Sequence, residues 1–193
     1  MKKVVIVVGV LMLLGGGCFG GNADESTENA GDIDRDAILF EAKENGLIMD
    51  SEESQSMMDA LADDSGESSI ASAESYLDLD FKGWDSAALA DVTGGESFGL
   101  AYSVVEGGVF TLVAKMGNLP KLGDGYFYEG WIVRRGEEMS VISTGRVESS
   151  GIWFVNAYTS ATDLSDHDFY VLTLEPDDGD PAPAEHILEG TIK

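Results

Sequence analysis

Residues 98–116 read FGLAYSVVEGGVFTLVAKM, with a double glycine in the middle. Large apolar residues recur at every second position on each side of Gly107-Gly108: Phe98, Leu100, Tyr102 and Val104, then Phe110, Leu112, Ala114 and Met116. A period of two is typical of a β-strand, because successive side chains point to opposite faces. Two glycines between two such runs form a tight turn. The stretch therefore predicts an antiparallel β-hairpin.

Short runs of the same kind surround this hairpin, with Gly, Asn, Asp and Pro between them. They cover residues 87–92, 126–133, 139–144, 152–158, 169–174 and 185–192. Residues 81–193 also hold 14 of the 17 aromatic residues, and no long helical pattern interrupts them. Regular short strands favour a sandwich or barrel over a parallel α/β fold. We therefore expect a mostly β protein with an antiparallel β-sandwich of about seven or eight strands over residues 81–193.

The preceding residues, 19–80, differ sharply in composition. Residues 24–80 contain 18 acids and two bases, and eight of the 25 residues from 51 to 75 are serine. Such a segment buries little apolar surface and predicts an acidic, Ser-rich linker. Two short helices are expected within it, one begun by Asp34 or Asp36 and ended by Gly46, the other beginning near Ser51. They are either a docking pair for a partner or transient helices packed loosely on the domain; the second is favoured, because short helices are marginal alone.

The first 18 residues have the layout of a secretory signal. Lys2 and Lys3 precede an apolar run over residues 4–14, small residues follow, and the only cysteine of the chain is Cys18. This order resembles a lipoprotein signal, in which the cysteine carries the lipid. Gly15 departs from the usual pattern, which has leucine three residues before the cysteine. The alternatives are a retained membrane anchor and ordinary signal cleavage that leaves a free thiol.

The charge balance and the cysteine count each exclude one class of protein. The formal net charge is −25, with 11 Lys and Arg against 36 Asp and Glu, so a nucleic-acid partner is not expected. A single cysteine cannot form a disulfide within the chain, so a disulfide scaffold is excluded.

Every interpretation of the first 18 residues places the remainder outside the cytoplasm. The predicted location is therefore the cell surface, with the membrane as a partner through lipid on Cys18.

Two groups of residues carry a resemblance to a known family. The first group is Leu119-Pro120 with Tyr128 and Trp131. The second is Thr173-Leu174-Glu175-Pro176 with Gly179 and Pro181. In this order they resemble the C-terminal domain of the anti-sigma-K factor RskA, over about residues 86–193. The resemblance implies an extracytoplasmic antiparallel β-sandwich, in which these residues are structural, and it implies no catalytic residues.

Typical members of that family carry a cytoplasmic sigma-binding domain and a membrane helix before this domain. Here a signal-like segment and a linker occupy that place, so we expect no sigma-binding domain. The expected partner is instead an envelope protein or a ligand.

A serine motif offers the main enzymatic alternative. Residues 95–99 match the G-x-S-x-G pattern of hydrolases, with Ser97 as nucleophile and Asp168 and His186 available later in the chain. That mechanism needs the serine on a turn from a strand into a helix, whereas the residues after Ser97 alternate as a strand. We therefore expect no enzymatic activity and keep a secreted serine hydrolase as an alternative.

Acidic loops offer a second alternative, a calcium-dependent adhesion or binding module. The weak candidate ligands are Asp163, Asp166, Asp168, Asp177, Asp178 and Asp180. Calcium prefers such oxygen donors, but aspartate is also common in plain turns, which is the favoured interpretation. His167 and His186 are the only imidazoles and have no third nitrogen or thiolate beside them in sequence, so neither a transition-metal site nor a cofactor is expected.

Aromatic residues could also form a platform for a ligand. The candidates are Trp84, Trp131, Trp153, Tyr126, Tyr128 and Tyr158. In a sandwich such residues more often fill the core. Taken together, the sequence predicts a non-enzymatic surface lipoprotein that displays an anti-sigma-K-like β-sandwich for protein or ligand binding or envelope sensing.

Overall fold

A computed structural model describes residues 34–60 and 73–193 of the protein. These residues form three helices and nine strands: α1 (Arg35–Glu44), α2 (Ser51–Met58), α3 (Ala73–Leu77), β1 (Asp85–Asp91), β2 (Phe98–Glu106), β3 (Val109–Gly117), β4 (Tyr126–Arg134), β5 (Ser140–Arg146), β6 (Glu148–Ser150), β7 (Trp153–Ser160), β8 (Phe169–Pro176) and β9 (Glu185–Thr191). The predicted signal peptide and Cys18 lie outside the described residues.

The nine strands make one antiparallel sheet in the order β5-β4-β8-β9-β1-β2-β3-β7-β6. The expected mostly β, antiparallel fold is confirmed, with one or two more strands than the sequence predicted. The sheet curls until it is nearly closed, so the protein is closer to a barrel than to two separate layers. A sandwich is therefore an approximate description of it.

The hairpin predicted over residues 98–116 is present as β2 and β3. Its register runs from Phe98 opposite Gly117 to Glu106 opposite Val109. Gly107 and Gly108 form the turn with φ values of 61° and 82°, a left-handed backbone that glycine adopts at no steric cost. The double glycine therefore sets the register of the hairpin, as its sequence indicates.

The two strands of this hairpin face the barrel interior differently. On β3 the large residues Phe110, Leu112 and Met116 point inward together with Ala114, and all four are at most 1% exposed. On β2 the large residues Phe98 and Leu100 point outward, and small ones line the interior instead. A Cβ at Gly99 would approach the Cγ of Met116 to 2.9 Å, so only glycine fits opposite that methionine. Small residues on β2 thus make room for large ones on β3.

A buried amide joins the two ends of the curled sheet. Asn156 of β7 is 1% exposed, and its Nδ2 donates hydrogen bonds to the carbonyl oxygens of Thr144 (3.1 Å) and Gly145 (2.9 Å) on β5. Its Oδ1 accepts from the hydroxyls of Thr144 (2.6 Å) and Tyr170 (3.2 Å). A Cβ at Gly130 of β4 would collide with all three side chains of this cluster. Burial also raises the pKa of Tyr170, which remains a neutral hydrogen-bond donor.

The chain itself also crosses the gap between the sheet ends. Arg146 at the end of β5 still pairs with Glu129 on β4, and the next residue, Val147, donates its backbone N–H to Tyr128 O at 2.9 Å. Glu148 then begins β6 and pairs with Val155 on β7. The continuous stretch from β5 to β6 therefore supplies both edge strands of the sheet, which leaves little open edge at the closure.

Residues 34–60 belong to the same compact unit as the barrel, which spans Asp34–Lys193. Met49 and Met57 are at most 1% exposed and pack on the outer face of β4 and β8, against Trp131, Phe169 and Val171. The solvated linker expected over residues 19–80 thus differs from the structure in this part. Its average composition is polar, but its few large apolar residues are spaced to cover one patch of the sheet.

Polar contacts fix the same segment to β9. The backbone N–H of Met49 donates to the carboxylate of Glu189 at 2.6 Å, and the hydroxyl of Thr191 donates to Gly46 O at 2.9 Å. Both expected helices are present: Asp34 caps α1, and Asp50 caps α2 with a reciprocal bond to Glu53. These contacts stabilise helices that would be marginal alone.

We expect Asn156→Ala to lower the free energy of unfolding by about 3 kcal/mol, because four buried polar groups lose their partner at once. Tyr170→Phe removes a single hydroxyl from the same cluster and should cost about 1 kcal/mol. Denaturant unfolding of the two variants measures both values. Equal and small losses would show that the closure does not depend on the amide.

Candidate functional site

An open groove with an apolar wall lies on the outside of the barrel, beside β2, β3 and β7. Its volume is about 440 Å³, and we call it the outer groove; it is lined by Leu77, Asp78, Phe98, Gly99, Leu100, Lys115 and Trp153. Phe98 is 51% exposed and Leu100 is 47% exposed. Two large apolar side chains exposed next to each other on one strand are typical of a binding surface, since isolated ones are the norm on soluble proteins.

The aromatic floor of the outer groove is held by its neighbours. The rings of Phe98 and Trp153 meet edge to face with their centroids 6.2 Å apart. The Phe98 ring lies over Gly117, where a Cβ would come within 2.6 Å of it. Because glycine stands at that position, the tip of the ring can occupy the space of a side chain, and the groove is shaped before any ligand arrives.

A lysine closes one side of the outer groove. Lys115 Nζ donates to Leu77 O at 2.7 Å and lies 4.5 Å from the centre of the Phe81 ring. Burial lowers the pKa of Lys115, and the nearby carboxylate of Asp78 opposes that shift. The ammonium group is therefore part of the wall of the groove, and its hydrogen bond to Leu77 O positions the end of α3.

A second, shallower cleft adjoins the groove at Phe98. Its volume is about 280 Å³, and Ile38 and Leu39 of α1 form one side of it. Ile38 is 55% exposed, and Arg35 of the same helix donates to the carbonyl oxygen of Gly95. Since Phe98 lines both depressions, apolar surface extends from α1 to Trp153.

The G-x-S-x-G motif forms the turn between β1 and β2. The carboxylate of Asp91 accepts from the backbone N–H groups of Thr93 (2.9 Å), Gly95 (3.0 Å) and Ser97 (2.9 Å). Burial raises the pKa of Asp91, but hydrogen bonds from Thr93, Ser97 and Gly95 outweigh that effect, so the net pKa lies below its usual value. The motif is therefore a loop organised around one carboxylate.

The structure does not bring the three candidate residues of a hydrolase together. The hydroxyl of Ser97 donates to Asn118 O at 3.2 Å, and the imidazole of His186 bonds to Glu189 at 2.7 Å. Asp168 is exposed and accepts a backbone bond from Ile192 through its carbonyl oxygen. Ser97, Asp168 and His186 therefore each bond to a residue outside the proposed triad.

The acidic candidates for calcium are divided between two loops. Three of them accept backbone N–H groups within their own turns: Asp163 from Ser165, Asp178 from Asp180 and Asp180 from Ala182. Asp166 pairs with Arg134 at 2.7 Å, which lowers the pKa of that carboxyl, and Asp177 pairs with Arg146 at 2.6 Å. Within residues 34–60 and 73–193 no three His, Cys, Asp or Glu side chains gather as a metal site.

The family-motif residues make contacts that hold the barrel together. Tyr128 OH donates to Pro120 O at 2.9 Å, and Trp131 Nε1 donates to Thr173 Oγ1 at 2.7 Å. Glu175 accepts from the backbone N–H of Ala184 at 2.8 Å across the β8–β9 turn. Of the other family-motif residues, Leu119 and Leu174 pack in or against the core. Pro176 ends β8, and Gly179 and Pro181 lie in the β8–β9 turn.

These contacts accompany a family match. The family model described as "Anti-sigma-K factor rskA, C-terminal" matches residues 5–188. The chain belongs to the RskA C-terminal family. The resemblance in the two motif groups is confirmed, and the match extends well before residue 86 into the residues assigned to the linker and signal. No curated protein and no solved structure matches the chain.

Sequence reasoning missed the outer groove in this family member. Half of the aromatic platform it considered is core: Trp131, Tyr128 and Tyr158 are at most 3% exposed, and of the six candidates only Trp153 lines the groove. The sequence did contain a signal for the groove, because Gly99 and Ala101 alternate with large residues on β2, and small residues mark the crowded side of a strand.

Among the described residues no helix is both long and apolar enough to span a bilayer.

We expect Asp91→Asn to destabilise the protein by about 1–2 kcal/mol at pH 7, because the loop loses hydrogen bonds to a charged acceptor. The folded-state pKa of Asp91 is lowered, so its contribution is present above the unfolded value of 3.8 and is lost as pH falls through the folded value. The stability gap between wild type and variant should therefore shrink below about pH 4.

Urea unfolding at pH 7, 5 and 3 measures that gap. Glu96→Gln is the matched control, since Glu96 lies in the same loop with its side chain 78% exposed. A gap that stays constant with pH would contradict a role for the Asp91 charge.

Proposed function

We propose that this RskA-family chain is a non-enzymatic, extracytoplasmic binding module tethered to the membrane by lipid on Cys18. The observation that carries the proposal is the exposed outer groove, with Phe98 and Leu100 about half exposed beside Trp153. A groove whose aromatic floor is already in place, with Ser97, Asp168 and His186 each bonded to a different residue, suits recognition better than catalysis.

The chemistry of the groove indicates the kind of partner. Apolar side chains of an envelope protein would insert between Phe98, Leu100 and Trp153. A net charge of −25 favours a partner whose surrounding surface is basic, because opposite charge speeds encounter and excludes acidic competitors. A small apolar ligand is the alternative occupant, since about 440 Å³ lies in the range of small-molecule sites.

The hydrogen bonds of Ser97 support the non-enzymatic part of the proposal. Its hydroxyl is bonded to Asn118 O, and its backbone N–H is bonded to Asp91. A nucleophilic serine needs a base within hydrogen-bond reach, and both residues hold Ser97 in a structural role instead. The calcium-dependent alternative has less support, because the acidic loops already use their carboxylates in turns and ion pairs.

For the tether, we expect the native protein to partition into detergent with a lipid mass on an N-terminal Cys18, and Cys18→Ser to remain in the aqueous phase. The physical reason is that acyl chains gain about 0.8 kcal/mol for each buried methylene. Intact mass and detergent partitioning measure both outcomes. A wild-type chain free in the medium without lipid would remove the tether from the proposal.

For the groove, we expect a photoreactive side chain at position 100 to form an adduct of defined mass in cells, whereas one at position 109 does not. Leu100 lines the outer groove, while Val109 is 42% exposed but lies at the far end of the hairpin. Phe98→Ser should abolish the adduct at position 100. Equal adducts at both positions would mean nonspecific contact and would contradict a binding role for the groove.

A further inference from the structure

A β-bulge places two titratable side chains of β9 on the same face. Residues three apart on a regular strand point to opposite faces. The register between β8 and β9 shifts after Leu172, which pairs with Leu188, while Thr173 pairs with His186. The extra residue, Ile187, reverses the alternation, so that His186 Nδ1 lies 2.7 Å from Glu189 Oε1. Bulges commonly re-aim a side chain beside functional sites.

The bonding of this pair leaves one nitrogen free. Glu189 is 2% exposed, and its second oxygen accepts the backbone N–H of Met49 at 2.6 Å. A carboxylate that accepts from Nδ1 fixes the proton there, which leaves the lone pair of the neutral ring on Nε2. The His186 side chain is only 7% exposed, and its Nε2 is buried without a hydrogen-bond partner among residues 34–60 and 73–193.

His167 provides the contrast within the same barrel. Its side chain is similarly buried at 4% exposure, but Nδ1 bonds to Asp166 and Nε2 bonds to Ser140 Oγ at 3.0 Å. Leaving a buried polar atom without a partner costs free energy, so an unpaired nitrogen calls for an explanation. A ligand that supplies the missing bond is one such explanation.

A cavity of about 470 Å³ lies beside His186, between residues 43–58 and β9. Its walls are formed by Lys43, Met49, Ser54, Met58, Val92, Ala184, Glu185, His186 and Glu189. Two methionines therefore line this cavity together with His186. Glu189 bonds both to Met49 N–H and to His186, so these two residues are neighbours across the carboxylate.

We propose that this cavity binds a soft monovalent metal ion, Cu(I), through His186 Nε2 and the sulfur atoms of Met49 and Met58. Thioethers select Cu(I) over hard ions, and imidazole is a common copper ligand. A histidine that binds metal usually donates its other N–H to a carboxylate, which is the role of Glu189. Glu189 is thus a positioning residue rather than a ligand.

The charges around the cavity fit an ion of this kind. Burying a cation is costly unless an opposite charge accompanies it, and the buried carboxylate of Glu189 balances a single positive charge. Lys43 and Glu185 also line the cavity, but both residues are exposed and carry opposite charges at its rim. The exposed rim gives the ion a route of entry.

The ligands come from parts of the chain far apart in sequence. Met49 lies between α1 and α2, Met58 ends α2, and His186 is on β9. Bound ion would therefore fasten residues 34–60 to the barrel, and we expect it to raise the melting temperature. A search of the sequence for His and Cys spacing overlooks this set, since two of its three members are methionines.

The test uses the full chain with Cys18→Ser as a common background, so that no thiol competes for metal. Cu(I) is titrated against a chromophoric Cu(I) chelator under reducing conditions, with Ag(I) as the air-stable probe for NMR. We expect one equivalent to bind, with shifts confined to the methyl groups of Met49 and Met58 and to the ring of His186. The signals of His167 and Met116 should not move.

The variants distinguish ligands from neighbours. Met58→Leu keeps the side-chain volume and removes the sulfur, so it should weaken Cu(I) binding about tenfold or more. Glu189→Gln should weaken Cu(I) binding about tenfold, because Glu189 orients the His186 ring. His186→Gln should abolish the binding of the single equivalent of Cu(I). Met139→Leu is the matched control, since Met139 is partly buried outside the cavity.

Three outcomes would overturn the proposal. The first is unchanged Cu(I) affinity in Met58→Leu or His186→Gln when circular dichroism shows both variants folded. The second is Ag(I) shifts spread over all methionine methyl groups, which would indicate adventitious binding only. The third is equal binding of Zn(II) or Ca(II), because hard or borderline ions do not prefer thioethers.

Discussion

The amide of Asn156 is the contact on which the barrel depends. Its four hydrogen bonds connect β7 to β5 and to Tyr170 of β8, so one side chain joins strands from both ends of the sheet. Gly130 leaves the space that this cluster occupies. Without that closure, the sheet would have two open ends, and the inward-facing residues of β3 would have no opposite wall.

Closure also determines which surfaces remain for other contacts. With the interior filled by side chains, every additional element packs on the outside. Residues 34–60 cover the face of β4 and β8, and α3 with Phe81 and Trp84 covers Val113 and Val155. The described part of the chain leaves the face at Phe98 and Leu100 open, which is why the candidate groove lies there and not inside the barrel.

The sequence predicted the strands well because their signals are local. The double glycine at 107–108 and the alternation around it depend only on neighbouring residues, and both are present in the structure. Non-local features were harder to predict. The fold of residues 34–60 rests on Met49 and Met57 meeting Trp131, and the His186–Glu189 contact rests on a bulge, which no pattern of residue types around it announces.

The attachment of residues 34–60 has a mechanical consequence. α1 has no buried residue, so a pull on the chain at Asp34 would unwind that helix one turn after another at low force. The load would then reach Gly46 and Met49, whose hydrogen bonds lead to Thr191 and Glu189 on β9. That strand is flanked by β8 and β1, so resistance would rise abruptly at residue 46. The residues before Gly46 would therefore extend at low force, whereas the barrel would resist extension.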